Sequence, residues 1–346
     1  MISHKLLSHT LFSKCLKGTQ IVQYKYIQVS VIGAASEIGK NVALLLKLNH
    51  LIRRLQIYDD DNTVHGICLE LARIPGGPTV TSFSGDIFLP AAVRYSRLVL
   101  MVSRVPRKLG YTREQMLEYN ALPVQKICRT LPEHNPDAFF AISSNPINSI
   151  ISFASALLNN YRAYNKYKLF GITTIDTVRT RALLGNALRV NPRHLHVPVI
   201  GGHSDNTIVP LFSNILPSHY SITQSQAETL TRLVRKSGND VLNLKVGVDA
   251  ATHAMAWSIN EFTEHLLEAL CGGYTIVNSY TVNPHFGTKF FSGPNKVGPS
   301  GIIETCRSFV MSEYERNLLD QAVPLINREI AQGEDYIQEI ESRKHF

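Results

Sequence analysis

Apolar residues fall in short runs closed by glycine or acidic residues through the first half of the chain, and in long runs of helical spacing through the second. The run at 29–32 stops at Gly33, which predicts a buried strand ending in a tight turn. Val42, Leu44, Leu45, Leu46 and Leu48 then have the density of a buried helix, and 55–58 reads as a second strand closed by Asp59, Asp60 and Asp61. Strand, turn, helix and strand in about thirty residues form a βαβ unit, which demands a parallel pair with a right-handed crossover. Strand text recurs at 80–83, 97–103 and 138–143, with helical text between the last two. Residues 28–171 therefore predict an α/β domain built on a doubly wound parallel sheet.

Beyond residue 171 the character changes. A helix is predicted over 174–188, a strand and turn over 197–203, and long helices over 224–242, 250–270 and 312–340. The last carries Leu318, Leu319, Ala322, Val323, Ile326 and Ile330 on one face, with a kink expected at Pro324. A second, α+β domain over 172–341 follows, and no repeat or flexible linker separates the two.

Composition narrows the function classes. With 346 residues, 44% hydrophobic and 18% charged, the chain is globular and long enough to bury a large core. No apolar run approaches the roughly 18 residues of a membrane span, so no membrane partner is expected. The net charge of +8 is unevenly placed: Lys5, Lys14, Lys17 and Lys25 precede the first carboxylate, Glu37. Without residues 1–27 the charge falls to about +4, which gives no reason to expect a nucleic-acid partner. That basic, acid-free segment, with Ser3, Ser8, Thr10 and Ser13 among leucines, reads as a mitochondrial transit peptide or a disordered basic tail. Cys15, Cys68, Cys128, Cys271 and Cys306 are dispersed, without metal-ligand spacing, and read as reduced thiols with no metal site.

Candidate chemistry starts at the first turn. Gly33 and Gly39 flank a strand-to-helix turn, and Asp59 ends the next strand twenty residues later. Such glycines let a helix N-terminus approach a pyrophosphate, and the carboxylate suits a ribose, which selects NAD. Arg107 and Arg113 lie in a polar, glycine-containing stretch suited to a loop that closes over an anion. Asp176 and Arg179 project from one face of the predicted helix at 174–188, where a guanidinium could grip a second carboxylate. Arginines for both ends imply a dicarboxylic acid. His203, after Gly201-Gly202, could be a general acid/base with Asp176 holding its ring, and Asn145 could bond the reacting oxygen. Each has a bland alternative: solvated loop arginines, a histidine that only satisfies its turn, a surface ion pair.

Four segments occur in order: Val105-Pro106-Arg107-Lys108-Leu109-Gly110-Tyr111-Thr112-Arg113, Ser144-Asn145-Pro146-Ile147-Asn148, Thr173-Thr174-Ile175-Asp176-Thr177-Val178-Arg179 and Val199-Ile200-Gly201-Gly202-His203-Ser204. Over about residues 28–340 the chain resembles the malate dehydrogenases of the lactate/malate dehydrogenase family, with a spelling similar to the mitochondrial type. The resemblance implies hydride transfer between NAD and malate or oxaloacetate, in a homodimer of the mitochondrial matrix. It also implies His203 and Asp176 as the catalytic pair and Arg107, Arg113, Asn145 and Arg179 on the substrate. Gly33, Ile38, Gly39, Asp59, Asn120 and Asn145 would hold the cofactor. Related lactate dehydrogenases carry glutamine at the position of Arg107. A buried arginine with no carboxylate to meet costs roughly 3 to 5 kcal/mol, so a monocarboxylate is expected to be poorer by up to about 10⁴.

The chain departs from that pattern around the cleft. Ser36 replaces the central glycine of the nucleotide turn and Glu37 follows it. A positive φ at Ser36 would cost about 1 to 2 kcal/mol, and a carboxylate there would compete with phosphate and weaken cofactor binding unless Glu37 turns to solvent. Ser103-Arg104 stands where the family has Ala-Gly, Asp205 replaces a glycine after His203, and Ala250 replaces a serine, with Asp249 and His253 as extra polar groups. A nearby Asp205 carboxylate would favour a protonated imidazole. The departures support an alternative, a catalytically impaired member of the family acting as a ligand-binding or subunit-interaction protein.

Overall fold

The computed structural model describes residues 27–103, 112–246 and 251–343. β1 (Ile27–Ile32) is buried at every position, as a strand covered on both faces requires. It pairs in parallel with β2 (Ile52–Asp59) on one side and β4 (Leu98–Met101) on the other. β3 (Thr79–Ser84) lies outside β2, while β5 (Phe139–Ile142) and β6 (Leu169–Ile172) continue beyond β4. The resulting parallel order, β3-β2-β1-β4-β5-β6, is that of a doubly wound sheet. Winding reverses between β1 and β4, and a ligand crevice belongs at their carboxyl ends. There Ile32 O accepts hydrogen bonds from both Val102 N and Ser103 N, at 2.9 and 3.0 Å.

The crossovers are α1 (Glu37–Lys47), α2 (Thr63–Ala72), α3 (Leu89–Val93), α4 (Arg113–His134) and α5 (Ile147–Asn160). Alternation along β4 sends Leu98 and Leu100 into one core and Val99 and Met101 into the other. The first core is covered by Ile38, Val42 and Leu46 of α1, and the second by Val124 of α4 and Ile150 of α5.

After β6 come α6 (Thr174–Leu188), the hairpin strands β7 (Val199–Gly201) and β8 (Ile208–Pro210), α7 (Gln224–Leu244) and α8 (His253–Leu270). β9 (Thr275–Val282), β10 (Phe290–Gly298) and β11 (Gly301–Thr305) precede the last helix, α9 (Glu313–Arg343). β9 pairs antiparallel with β6, Gly171 facing Tyr280, and β10 meets β7 where Ser292 faces Gly201. The second half thus extends the same sheet, to 11 strands among the described residues. A Cβ on Gly171 would lie 2.9 to 3.0 Å from Ile151, Ile147 and Tyr280, so glycine permits this close junction.

The helices at 174–188, 224–242, 250–270 and 312–340 all occur, and α9 remains helical through Pro324. The strands between 275 and 305 are additional to the sequence reading. Their polar inward residues mask the usual pattern: Thr275, Ser279, Thr281, Ser292 and Asn295 are buried. Asn295 Nδ2 donates to Ser279 O and Oγ at 3.0 Å, and Thr173 Oγ1 lies 2.7 Å from Ser292 Oγ. Cys68, Cys128, Cys271 and Cys306 are free thiols, and no described helix is long and apolar enough to cross a membrane.

Candidate active site

β7 ends in a turn that only glycine can make. Gly201 has φ +101°, and a Cβ there would sit 2.1 Å from Thr207 O. A Cβ on Gly202 would fall 2.5 Å from both Asn148 Nδ2 and Thr207 Oγ1. The tight loop is pinned by Gly202 N to Thr207 O at 2.9 Å and Thr207 N to Ser204 O at 2.8 Å. Its tip presents His203, whose Nδ1 lies 2.6 Å from Asp176 Oδ2 in the first turn of α6. A carboxylate only accepts, so Nδ1 carries the hydrogen, and it is Nε2 that is left to exchange a proton with a substrate. Their side chains are 9% and 1% exposed, so water screens the pair weakly. Asp176 Oδ1 is buried without a hydrogen-bond partner among the described residues.

Arg179 stands one turn along the same helix, as the i,i+3 spacing predicts. Burial pulls its guanidinium below the ordinary range, against the opposing charges of Asp176 and Asp205. Gly238 of α7 covers it, the position of a Cβ there being 3.9 Å from Nη1 and Nη2. Asp205 accepts from Asn239 Nδ2 at 2.9 Å, and its charge acts on Arg179 and Arg235.

Asn145 is half-buried and joined to Pro146 by a cis peptide bond. Its carbonyl accepts from Asn120 Nδ2 at 2.8 Å, so the buried Asn120 side chain supports Asn145. Sequence reasoning passed over Asn148, although it closes the Ser144–Asn148 motif. The structure places its Oδ1 3.0 Å from His203 N. Ser144 Oγ bonds Ser103 O, joining the ends of β5 and β4.

The nucleotide turn corrects the expectation at Ser36. Its φ of −66° and ψ of 157° are ordinary extended backbone, so the replaced glycine creates no strain. Ser36 caps α1 instead: Oγ accepts from Gly39 N at 3.0 Å and donates to Gly33 O at 2.7 Å. Glu37 turns to solvent against Lys40 at 2.9 Å, the orientation in which it does not compete with phosphate. The flanking glycines are sterically required. A Cβ on Gly33, at φ +92°, would lie 2.4 Å from Ser103 Cα, and one on Gly39 2.1 Å from Gly33 O.

Ile38 packs its side chain into the core and offers its first-turn amide. Asp59 Oδ2 accepts from Ala35 N at 2.8 Å and Oδ1 from Asp61 N at 3.1 Å, which leaves lone pairs for ribose hydroxyls. A crevice lined by Gly33, Tyr58, Asp59, Ser103, Pro123 and Lys126 opens here, and Lys126 bridges Asp60 and Asp86 at 3.1 and 2.7 Å. Arg104, Arg107, Asp249 and Ala250 lie outside the described residues, and Arg113 begins α4. His203, Asp176, Arg179 and Asn148 are thus gathered by α6, the β7 turn and α5, while Gly33, Gly39, Ile38 and Asp59 form a separate cluster at β1 and β2.

Two family models match the chain in succession. Residues 27–171 match the lactate/malate dehydrogenase NAD binding domain, and residues 173–337 the lactate/malate dehydrogenase alpha/beta C-terminal domain. The chain belongs to the lactate/malate dehydrogenase family.

It is 33% identical over 312 residues to mitochondrial malate dehydrogenase of Sus scrofa, covering 90% of this chain and 92% of the relative. A bacterial malate dehydrogenase, from Idiomarina loihiensis, is also 33% identical, over 90% of this chain and 99% of its own length. The fold matches the crystal structure of Cryptosporidium parvum malate dehydrogenase, with TM-score 0.77 and 22% identity over 90% of this chain and 100% of that one. The lactate dehydrogenase of the same organism, complexed with lactic acid and NAD, also gives TM-score 0.77, at 19% identity over 90% of this chain and 98% of that one. NAD is the cofactor of this architecture, and the residues present fit it: a helix N-terminus whose turn closes only with glycine, and an acidic residue at the end of β2.

Proposed function

We propose that the chain interconverts malate and oxaloacetate, with His203 as acid/base. The observation that carries this is the 2.6 Å contact of His203 with Asp176, with the half-buried Arg179 one turn away. Arg179 makes no hydrogen bond to a described residue, and its half-buried guanidinium is open to a carboxylate ligand. When bound, NAD supplies the hydride acceptor or donor. His203 Nε2 takes the hydroxyl proton of malate, and Asp176 stabilises the imidazolium that results. Arg179 grips the carboxylate beside the reacting carbon, Asn145 bonds the reacting oxygen, and Arg107 with Arg113 meets the distal carboxylate. That second arginine contact is what favours a dicarboxylic acid over lactate or pyruvate.

Residues 28–171 act in this reading as the nucleotide domain and 172–341 as the substrate domain. The basic, acid-free N-terminal segment supports a mitochondrial matrix location. Exposed Leu44 on α1, Leu48 just past its end and Trp257 on α8, two helices that pack together, support a homodimer. The impaired-member alternative rests on Arg104, Asp205 and Ala250, since Ser36 and Glu37 do not obstruct the turn.

NADH oxidation by the purified protein with oxaloacetate and pyruvate in parallel, alongside NADH binding by calorimetry, tests the assignment. Turnover specific to oxaloacetate and lost in His203→Ala is expected. NADH binding without turnover of either acid would select the impaired alternative.

A further inference from the structure

The turn that carries His203 is held from behind by a carboxylate with no part in the chemistry above. Glu329, on α9, accepts through Oε2 from Asn148 Nδ2 at 2.6 Å and from Ser204 Oγ at 3.2 Å. The opposite end of the same amide, Asn148 Oδ1, accepts the main-chain N–H of His203 at 3.0 Å. Both His203 and its neighbour Ser204 are therefore tied to one carboxylate that comes from the far end of the chain.

The polarity of these bonds gives the arrangement its meaning. An amide side chain has one accepting and one donating end, and the His203 N–H needs the accepting end. If Asn148 turned over, its NH₂ group would face that N–H, donor against donor. A carboxylate only accepts, so Glu329 takes the NH₂ group and forbids the flip. Asn148 and Ser204 are 2% and 6% exposed, which leaves little water to substitute for it.

Packing delivers Glu329 to this place. A Cβ on Gly333 would lie 2.0 Å from Ser149 O, so α9 approaches α5 closely one turn beyond Glu329. Ser152 Oγ, on α5, also donates to Ile330 O at 2.9 Å. Gly202 leaves the room into which Asn148 Nδ2 fits.

We propose that Glu329 is a positioning residue for the acid/base. Asp176 sets the rotation of the imidazole, and Glu329, through Asn148 and Ser204, sets the main chain from which the ring projects. The proposal rests on the reading of His203 given above, so its test includes a measurement that needs no turnover.

Three variants of the full chain separate the possibilities. Glu329→Leu removes the acceptor at similar volume, Glu329→Asp withdraws it by one methylene, and Glu329→Gln keeps an acceptor oxygen without the charge. For Glu329→Leu, kcat for oxaloacetate reduction is expected to fall about 10- to 100-fold, with KM and NADH affinity within about threefold. Glu329→Asp should lose about 3- to 10-fold, and Glu329→Gln should stay within about threefold of the parent. The downfield proton resonance of His203 Nδ1–H should shift or broaden in Glu329→Leu and persist in Glu329→Gln.

Unchanged kcat in both Glu329→Leu and Glu329→Asp overturns the proposal, as does a Glu329→Gln loss as large as that of Glu329→Leu. If Glu329→Leu does not fold, Glu329→Asp and Glu329→Gln decide by the same criteria. If the parent shows no turnover, the functional reading fails. The resonance then decides alone: displaced without the acceptor, it upholds positioning, and unmoved, it overturns it.

Discussion

Replacing Asp176 by asparagine removes one unit of charge and keeps the shape of the side chain. Its carboxylate oxygen lies 2.6 Å from His203 Nδ1, and the side chain is 1% exposed. Taking about 4 Å between the centres of charge and an effective dielectric of about 20, the imidazolium and carboxylate attract by about 4 kcal/mol. That attraction arises only once the imidazole is protonated, which in malate oxidation is when the hydroxyl proton has moved onto Nε2. It therefore stabilises the transition state more than the ground state. At about 1.4 kcal/mol per decade, kcat for malate oxidation should fall by about 10³. An asparagine NH₂ turned toward Nδ1 would also move the ring hydrogen to Nε2, where no further proton can be accepted, so the estimate is a floor. The assay is the initial rate of NADH formation at saturating malate, with NADH affinity and thermal unfolding as controls. A folded Asp176→Asn that binds NADH and loses less than about tenfold in kcat would refute the reasoning.

Gly39→Ala places a Cβ 2.1 Å from Gly33 O, a backbone atom that cannot step aside. A loss of about 2 to 3 kcal/mol in urea unfolding and at least about tenfold in NADH affinity is expected, and parent-like behaviour in both would show that the turn is not closed as described. Ser36→Gly releases the Gly39 amide from its cap at a cost of a few tenths of a kcal/mol, and calorimetry should show NADH affinity rising by roughly three- to tenfold. His196 is held below its ordinary value by burial, reinforced by Arg181 and His265 and opposed by Glu261. The unfolded chain, with a histidine value of about 6.5, then takes the proton first, so this contribution is complete above about pH 6.5 and drains away as pH falls toward the lower folded value. His196→Gln should flatten the fall in urea midpoint across that interval, and equal slopes in the two proteins would sink the assignment.

Much of this was legible because the sequence pattern reflects simple geometry. A strand covered on both faces must be apolar throughout, which makes β1 visible, and Asp176 and Arg179 at i,i+3 must share a helix face. The strands β9 and β10 were less visible, since their inward residues include Thr275, Ser279, Ser292 and Asn295, polar side chains that bond neighbours such as Asn295 Nδ2 on Ser279 and Ser292 with Thr173, and so carry no hydrophobic alternation. Ser36 shows a different limit. A missing glycine implies strain only if the position has positive φ, and φ belongs to the folded backbone: here it is −66°, while the glycines that must be glycine, Gly33 and Gly39, are both present. Glu329 shows a third limit, because its role depends on a contact across 181 residues of chain with Asn148. No local pattern distinguishes that glutamate from the others on α9. What singles it out is the direction of the Asn148 amide, a consequence of which groups donate and which accept once α5, α9 and the β7 turn have met.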